Sequence, residues 1–240
     1  NLSVVPQQPL AHPCPLHSVD LRVDTVGLNF RDVLNVLGAY PGDPGPPGAD
    51  CAGQVAGLGE SEHHLVEMGS AAFGFSVGAV PSNTRGPTMW LVPRPAALPP
   101  DAACTLSIIW TTVHVSLEAS RSSAGHVWLV HAAAGGVGQI FAQWANSIGA
   151  KVIGTVGSDT KIKIAEENGY AHVINYTKDD FTKKVMEITN NEGVPAVFDG
   201  VGKNTFKGSL ACLKTRGTMV SFGNASGPLD PVNVPKDIQP

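Results

Sequence analysis

The sequence predicts an α/β protein in two parts: a parallel sheet wound with crossover helices over its second half, and a β-rich domain before it. Three observations carry this. Strand-like and helix-like segments alternate from Val127 onward, the pattern of parallel strands joined by crossover helices. Composition changes along the chain, with fourteen of nineteen prolines in residues 1–100 and all ten lysines at or after Lys151. A glycine-rich turn also stands directly between the first strand and the first helix of the second half. The boundary is expected near residue 105, with a β-rich domain over 1–105 and a sheet-and-helix domain over 106–240.

In the first part, short apolar runs such as VDLRVDTVGLNF and CAGQVAGLG lie between Pro- and Gly-rich segments and read as strands of unspecified topology. The second part resolves further. Strand VWLVHA (127–132) leads into a helix over about 136–149, and strand KVIGTV (151–156) into a helix ending near Gly169. Strand HVINY (172–176) precedes a charged helix over about 179–190, and strand AVFDGV (196–201) precedes a helix running to about Cys212. GTMVSFG (217–223) is the fifth strand. The tail GPLDPVNVPKDIQP has neither strand nor helix periodicity, so no sixth strand is expected and the sheet reads as truncated at its C-terminal end.

The bulk numbers narrow the function classes. With 42% hydrophobic and 15% charged residues the chain is a folded globular protein. A net charge of −4 and a pI near 6.0 provide no general attraction for nucleic acid or anionic lipid. No apolar run of membrane-spanning length and no signal-peptide pattern is evident, so the expected location is intracellular, in the cytoplasm. Cys14, Cys51, Cys104 and Cys212 are scattered without a CxxC pair, which favours isolated, mostly buried thiols over a zinc site or disulfide framework.

The residues that carry chemistry begin at Ala133. Ala133-Ala134-Gly135-Gly136-Val137-Gly138 has AxGxxG where the usual dinucleotide fingerprint has GxGxxG, and it sits between a strand and a helix. Gly135 would let the backbone approach a pyrophosphate, and Gly138 would let the helix pack on the strand. The helix N-terminus would offer free N–H groups. Ala133 can replace a glycine where φ stays negative. An NAD site would place an acid at the end of the second strand, where this chain has Thr155-Val156-Gly157-Ser158. Lys161 follows, and NADPH is therefore the expected cofactor. On spacing alone, a solvated helix-start lysine is an equal reading of Lys161.

The segments HAAAGGVGQIFAQWANSIGAKVIGTVGSD, HVINY, VFDGVGK and GTMVSFG resemble the zinc-free quinone oxidoreductase branch of the medium-chain dehydrogenase/reductase superfamily. GLNFRDVLNVLGAYPGD resembles the enoylreductase domains of polyketide and fatty acid synthases. The resemblance implies a Rossmann domain after an N-terminal GroES-like domain, with the nicotinamide between them. It implies Ser158, Lys161 and Tyr176 around a 2′-phosphate, Asn29 near the nicotinamide, and the Phe222-Gly223 backbone along the cofactor. The fifteen-residue step from Lys161 to Tyr176 matches the family's phosphate pair. Zinc-dependent relatives have a Cys-His pair where this chain has Asn29-Phe30-Arg31-Asp32, so no metal ligand is assigned; Arg31 and Asp32 read as structural. Tyr40 is read either as a proton donor beside the substrate or as an aromatic anchor before Pro41. His63 and His64 read as solvent-facing, and His131 as a packed core histidine.

The function so implied is NADPH-dependent reduction of a carbon–carbon double bond conjugated to a carbonyl, as the enoylreductase portion of a synthase acting on a carrier-bound enoyl thioester. A separate NADPH quinone or enone reductase is the alternative. An inactive domain that retains the fold is a third. Two departures bear on activity: the expected ending after the fifth strand, and a stretch over 60–70 shorter than in the family. A homodimer is compatible with the sequence, which does not determine the assembly.

Overall fold

Apolar residues with extended propensity occur in short blocks along residues 18–93, and in the computed structural model they form a five-stranded antiparallel sheet. The structure describes residues 6–40, 42–61 and 65–232; His63 and His64 lie outside them. Strands β1 (Ser18–Gly27), β2 (Asp50–Leu58), β3 (Ala71–Phe75), β4 (Asn83–Pro87) and β5 (Leu91–Pro93) are ordered β4-β1-β2-β3-β5. Val19, Leu21, Cys51, Val55, Ala72 and Leu91 form the core of this sheet. Helix α1 (Phe30–Val36) follows β1 directly. The chain divides into two compact units, Asn1–Ile108 and Ile109–Pro240.

The division falls inside helix α3 (Ser107–Ser120), which follows the short helix α2 (Pro100–Ala103). Contrary to the sequence reading, Pro100–Ser120 is long and apolar enough by composition for a membrane span, with a mean hydropathy of 1.2. A turn at Cys104–Leu106 interrupts it, however. The fourteen residues of α3 reach only about 21 Å, short of a hydrocarbon core about 30 Å thick.

The second unit is a parallel sheet of strands β6 (Val127–Val130), β7 (Lys151–Val156), β8 (His172–Asn175), β9 (Val194–Asp199) and β10 (Leu213–Ser221), ordered β10-β9-β6-β7-β8. Helices α4 (Gly136–Ser147), α5 (Thr160–Glu167), α6 (Phe181–Ile188) and α7 (Phe206–Ala211) make the crossovers. Strands buried on both faces read as continuous apolar runs. Trp128 and Val130 pack one face with Phe141, Val152 and Phe198, while Leu129 packs the other with Ile153, Val197 and Val185. On α4 the buried positions Gly138, Phe141, Ala142 and Ala145 keep the three-and-four spacing of a helix face. The strand order reverses between β6 and β9, the place where open α/β sheets bind ligands. The fifth strand begins at Leu213, earlier than its apolar run, and carries a register irregularity between Leu213 and Thr218.

Candidate active site

The glycine-rich turn leaves β6 at this reversal point. Ala132 takes a left-handed φ of 55°, and the Gly135 N–H donates to the Ala132 carbonyl at 2.8 Å. Buried Ala133 stays outside the left-handed region and donates its N–H to the Thr155 carbonyl on β7 at 3.0 Å. A Cβ on Gly138 would stand 2.6 Å from the Ala132 oxygen and 2.7 Å from the Ala133 oxygen, so only glycine lets α4 start this close to the strand. Gly135 and Gly136 are exposed, and Gly135 caps α4 without a side-chain acceptor. The N–H groups of Gly136, Val137 and Gly138, in the first turn of α4, are available to an external acceptor.

Past the ends of β7 and β8, Gly157, Ser158 and Tyr176 come together. A Cβ on Gly157 would lie 2.5 Å from the Tyr176 hydroxyl, which places that phenol against the turn entering α5. Ser158 Oγ is 2.9 Å from Thr160 Oγ1, and the Lys161 N–H donates to the Ser158 carbonyl at 3.2 Å. Tyr176 is half exposed and Lys161 is exposed. Beside them, Asp159 accepts from Asn175 Nδ2 at 2.7 Å and pairs with Lys178 Nζ at 2.5 Å. Lys178 holds the Asp159 carboxyl below its ordinary value, with Asn175 adding to the effect. Neither this pair nor its asparagine was apparent from the sequence, although an acid one residue after Ser158 was the visible signal.

A buried polar chain ties these strand ends together. His131 Nδ1 is 2.8 Å from Thr155 Oγ1, and His131 Nε2 is 2.9 Å from Ser209 Oγ. The Ser209 hydroxyl donates to Asp199 Oδ2 at 3.0 Å, so it accepts from Nε2–H, and Nδ1 accepts from the Thr155 hydroxyl. Burial pushes the imidazole down to about 4, against a smaller opposite pull from Asp199. The other Asp199 oxygen accepts the N–H groups of Val201 and Gly202. Next to that loop, Phe222 and Gly223 pack on Gly200; a Cβ on Gly200 would lie 2.6 Å from the Phe222 ring, and one on Gly223 2.7 Å from the Gly200 oxygen.

In the first unit, Asn29 caps α1 and donates from Nδ2 to Asp50 Oδ2 at 2.9 Å. Asp32 is buried and accepts the N–H groups of Asn29 and Gly48, each at 2.8 Å. Asp50, buried at the start of β2, also accepts the Ile108 N–H. Burial pushes its carboxyl up to about 6, opposed by the hydrogen bonds of Asn29 and Ile108. Sequence reasoning missed Asp50; an acid opening the apolar run DCAGQVAG was the signal available. The Tyr40 ring lies 5.9 Å from the Arg31 guanidinium, and Arg31 also bonds the Pro44 carbonyl. Asn29 and Tyr40 share no hydrogen bond. Among the described residues, no group of three or more His, Cys, Asp or Glu side chains is placed to hold a metal ion.

A family described as zinc-binding dehydrogenase matches residues 136–239. The quinone oxidoreductase of Salmonella typhimurium is 37% identical over 223 residues, covering 91% of this chain and 68% of its own length. A phenolphthiocerol/phthiocerol polyketide synthase from Mycobacterium tuberculosis is 32% identical over 209 residues, 85% of this chain and 10% of that protein. The crystal structure of Escherichia coli quinone oxidoreductase complexed with NADPH superposes with a TM-score of 0.84 at 34% identity, covering 95% of this chain and 72% of the other. Together with the glycine-rich turn at the sheet's reversal point, these likenesses establish that the chain belongs to the medium-chain dehydrogenase/reductase superfamily, among its zinc-free members.

Proposed function

We propose that the chain uses NADPH to reduce a carbon–carbon double bond conjugated to a carbonyl, with a carrier-bound enoyl thioester as the leading substrate. The observation that carries this reading is the Ala133–Gly138 turn at the reversal of the sheet, with Gly157 and Ser158 directly after β7, Lys161 on the helix that follows, and the acid between them, Asp159, already paired with Lys178. A dinucleotide fits that geometry. Gly138 allows the close helix start, and the uncapped first turn of α4 supplies N–H donors for a pyrophosphate.

NADPH, when bound, supplies the hydride. In this reading Ser158, Lys161 and Tyr176 hold the 2′-phosphate, and the Phe222-Gly223 backbone flanks the dinucleotide. Asn29 seats the nicotinamide, its side chain oriented by Asp50. Conjugate reduction spreads negative charge into an enolate, which a few hydrogen-bond donors can hold until the α-carbon is protonated. The Tyr40 phenol is the donor assigned to that step.

Quinone oxidoreductase relatives and a structural neighbour complexed with NADPH support the oxidoreductase class and the cofactor. The higher identity to quinone oxidoreductase, 37% against 32% for the polyketide synthase, favours a quinone as the second substrate reading. The test is NADPH oxidation by the purified chain with a crotonyl thioester, an enone and a quinone in parallel. Turnover of the thioester supports the leading reading. Brisk quinone reduction without thioester or enone turnover promotes the second, and no turnover of any of the three rejects both.

A further inference from the structure

Asp159 presents a problem for an NADPH site. A carboxylate just after the second strand of such a sheet ordinarily accepts the ribose 2′-hydroxyl of NADH and repels a 2′-phosphate. Here it stands one residue after Ser158 and two before Lys161, on the turn where the Tyr176 hydroxyl rests. Both of its oxygens are already engaged by the end of β8 and the turn after it: Oδ1 accepts from Asn175 Nδ2 at 2.7 Å, and Oδ2 from Lys178 Nζ at 2.5 Å. Asn175 is itself held. It is buried, and its Oδ1 accepts the N–H and the hydroxyl of Thr177 at 3.0 Å and 2.7 Å, which aims its amide at Asp159. Lys161, in contrast, has no hydrogen bond or ion pair to another side chain among the described residues.

Resting on the NADPH reading above, we infer that Lys178 is a cofactor-specificity residue that masks Asp159. By occupying that carboxylate it leaves Lys161 unpaired for the 2′-phosphate and denies Asp159 to the 2′-hydroxyl of NADH. Two lysines thus divide the work: Lys161 attracts the phosphate, and Lys178 cancels the charge that would repel it. Asn175 keeps the carboxylate turned toward Lys178.

The experiment is a double-mutant cycle on the purified chain, with dissociation constants for NADPH and NADH measured by fluorescence titration and folding checked by circular dichroism. Lys178→Ala is expected to weaken NADPH about fivefold, as befits an exposed charge pair, and to leave NADH unchanged or tighter. Adding Asp159→Asn should restore most of the NADPH affinity, because the unmasked charge is gone, and Lys178→Arg should bind like the parent. Equal losses for both cofactors in Lys178→Ala, or a double variant no better than Lys178→Ala, would overturn the mask. Lys161→Ala separates this from the reading beneath it. If that variant loses NADPH selectively while Lys178→Ala changes neither cofactor, the mask is wrong and the NADPH reading stands. If neither variant loses NADPH affinity, both are wrong.

Discussion

Tyr40 bears the proposed proton delivery, and its environment explains why the sequence left two readings of it. Its ring faces the Arg31 guanidinium, an anchoring contact of the kind expected for an aromatic beside a turn, while its hydroxyl has no hydrogen-bond partner among the described residues. An anchored ring with an unengaged phenol satisfies both. General-acid help of this type contributes about 10²–10⁴-fold, so Tyr40→Phe should slow thioester reduction by up to that factor, with solvent water supplying the residual rate. Because the donor's position determines which face is protonated, the product of an α-methyl enoyl thioester should lose configurational purity in the variant. Unchanged rate and configuration would remove Tyr40 from the mechanism. Asp50 was not legible in the same way. Its link to Asn29 spans 21 positions and exists only once β2 lies beside β1.

At the scale of elements, the β6 turn shows how finely one glycine differs from its neighbour. Gly138 faces two backbone oxygens at contact distances no Cβ tolerates, whereas a Cβ on Gly136 would meet only the Ile109 side chain at 3.5 Å. Gly138→Ala should therefore force α4 away from the strand, at about 1–3 kcal/mol of stability, and weaken both NADPH and NADH. Gly136→Ala, at the exposed first position of the helix, should be neutral or stabilising by up to about 1 kcal/mol. Urea denaturation and cofactor titration of the two variants check this, and equal costs would refute the close-packing account. The Gly138 requirement was visible in the AxGxxG spacing. The left-handed Ala132 was not, since alanine gives no signal for a positive φ.

For the whole molecule, two buried groups titrate in opposite senses. His131 is held neutral at about 4 in the folded chain against 6.5 ordinarily. Its contribution is complete above pH 6.5 and declines as pH falls toward 4, because the unfolded chain takes up the proton first. The loss amounts to about 3 kcal/mol over that window. Asp50, raised from 3.8 to about 6, stabilises the fold below its ordinary value and loses that contribution as pH rises through 6. The two groups lie in different units, Asp50 in the first and His131 in the second, so each slope belongs to its own part of the fold. His131→Gln, which keeps a donor and an acceptor, should remove the acid loss of the second unit, whose stability should then change little between pH 6.5 and 4. Melting curves followed by tryptophan fluorescence report chiefly on the second unit, where Trp110, Trp128 and Trp144 lie. A parent and variant with the same pH profile would show that His131 is not the group responsible.

The α/β class, the five strands of the second unit within a few residues, and the glycine-rich turn between β6 and α4 were all legible in the amino-acid order. The reason is local: strands buried on both faces are continuous apolar runs, and a helix starting against a strand needs glycine where backbones touch. The order β4-β1-β2-β3-β5 emerged only on folding, because Pro- and Gly-rich segments of irregular length carry no period from which pairing can be read. So did the polar sets: Asn29 with Asp50, Lys178 with Asp159, and His131 with Ser209, separated by 21, 19 and 78 positions. Such hydrogen bonds depend on which strand ends lie side by side, and that is set by the packing of the sheet rather than by any neighbour in the chain.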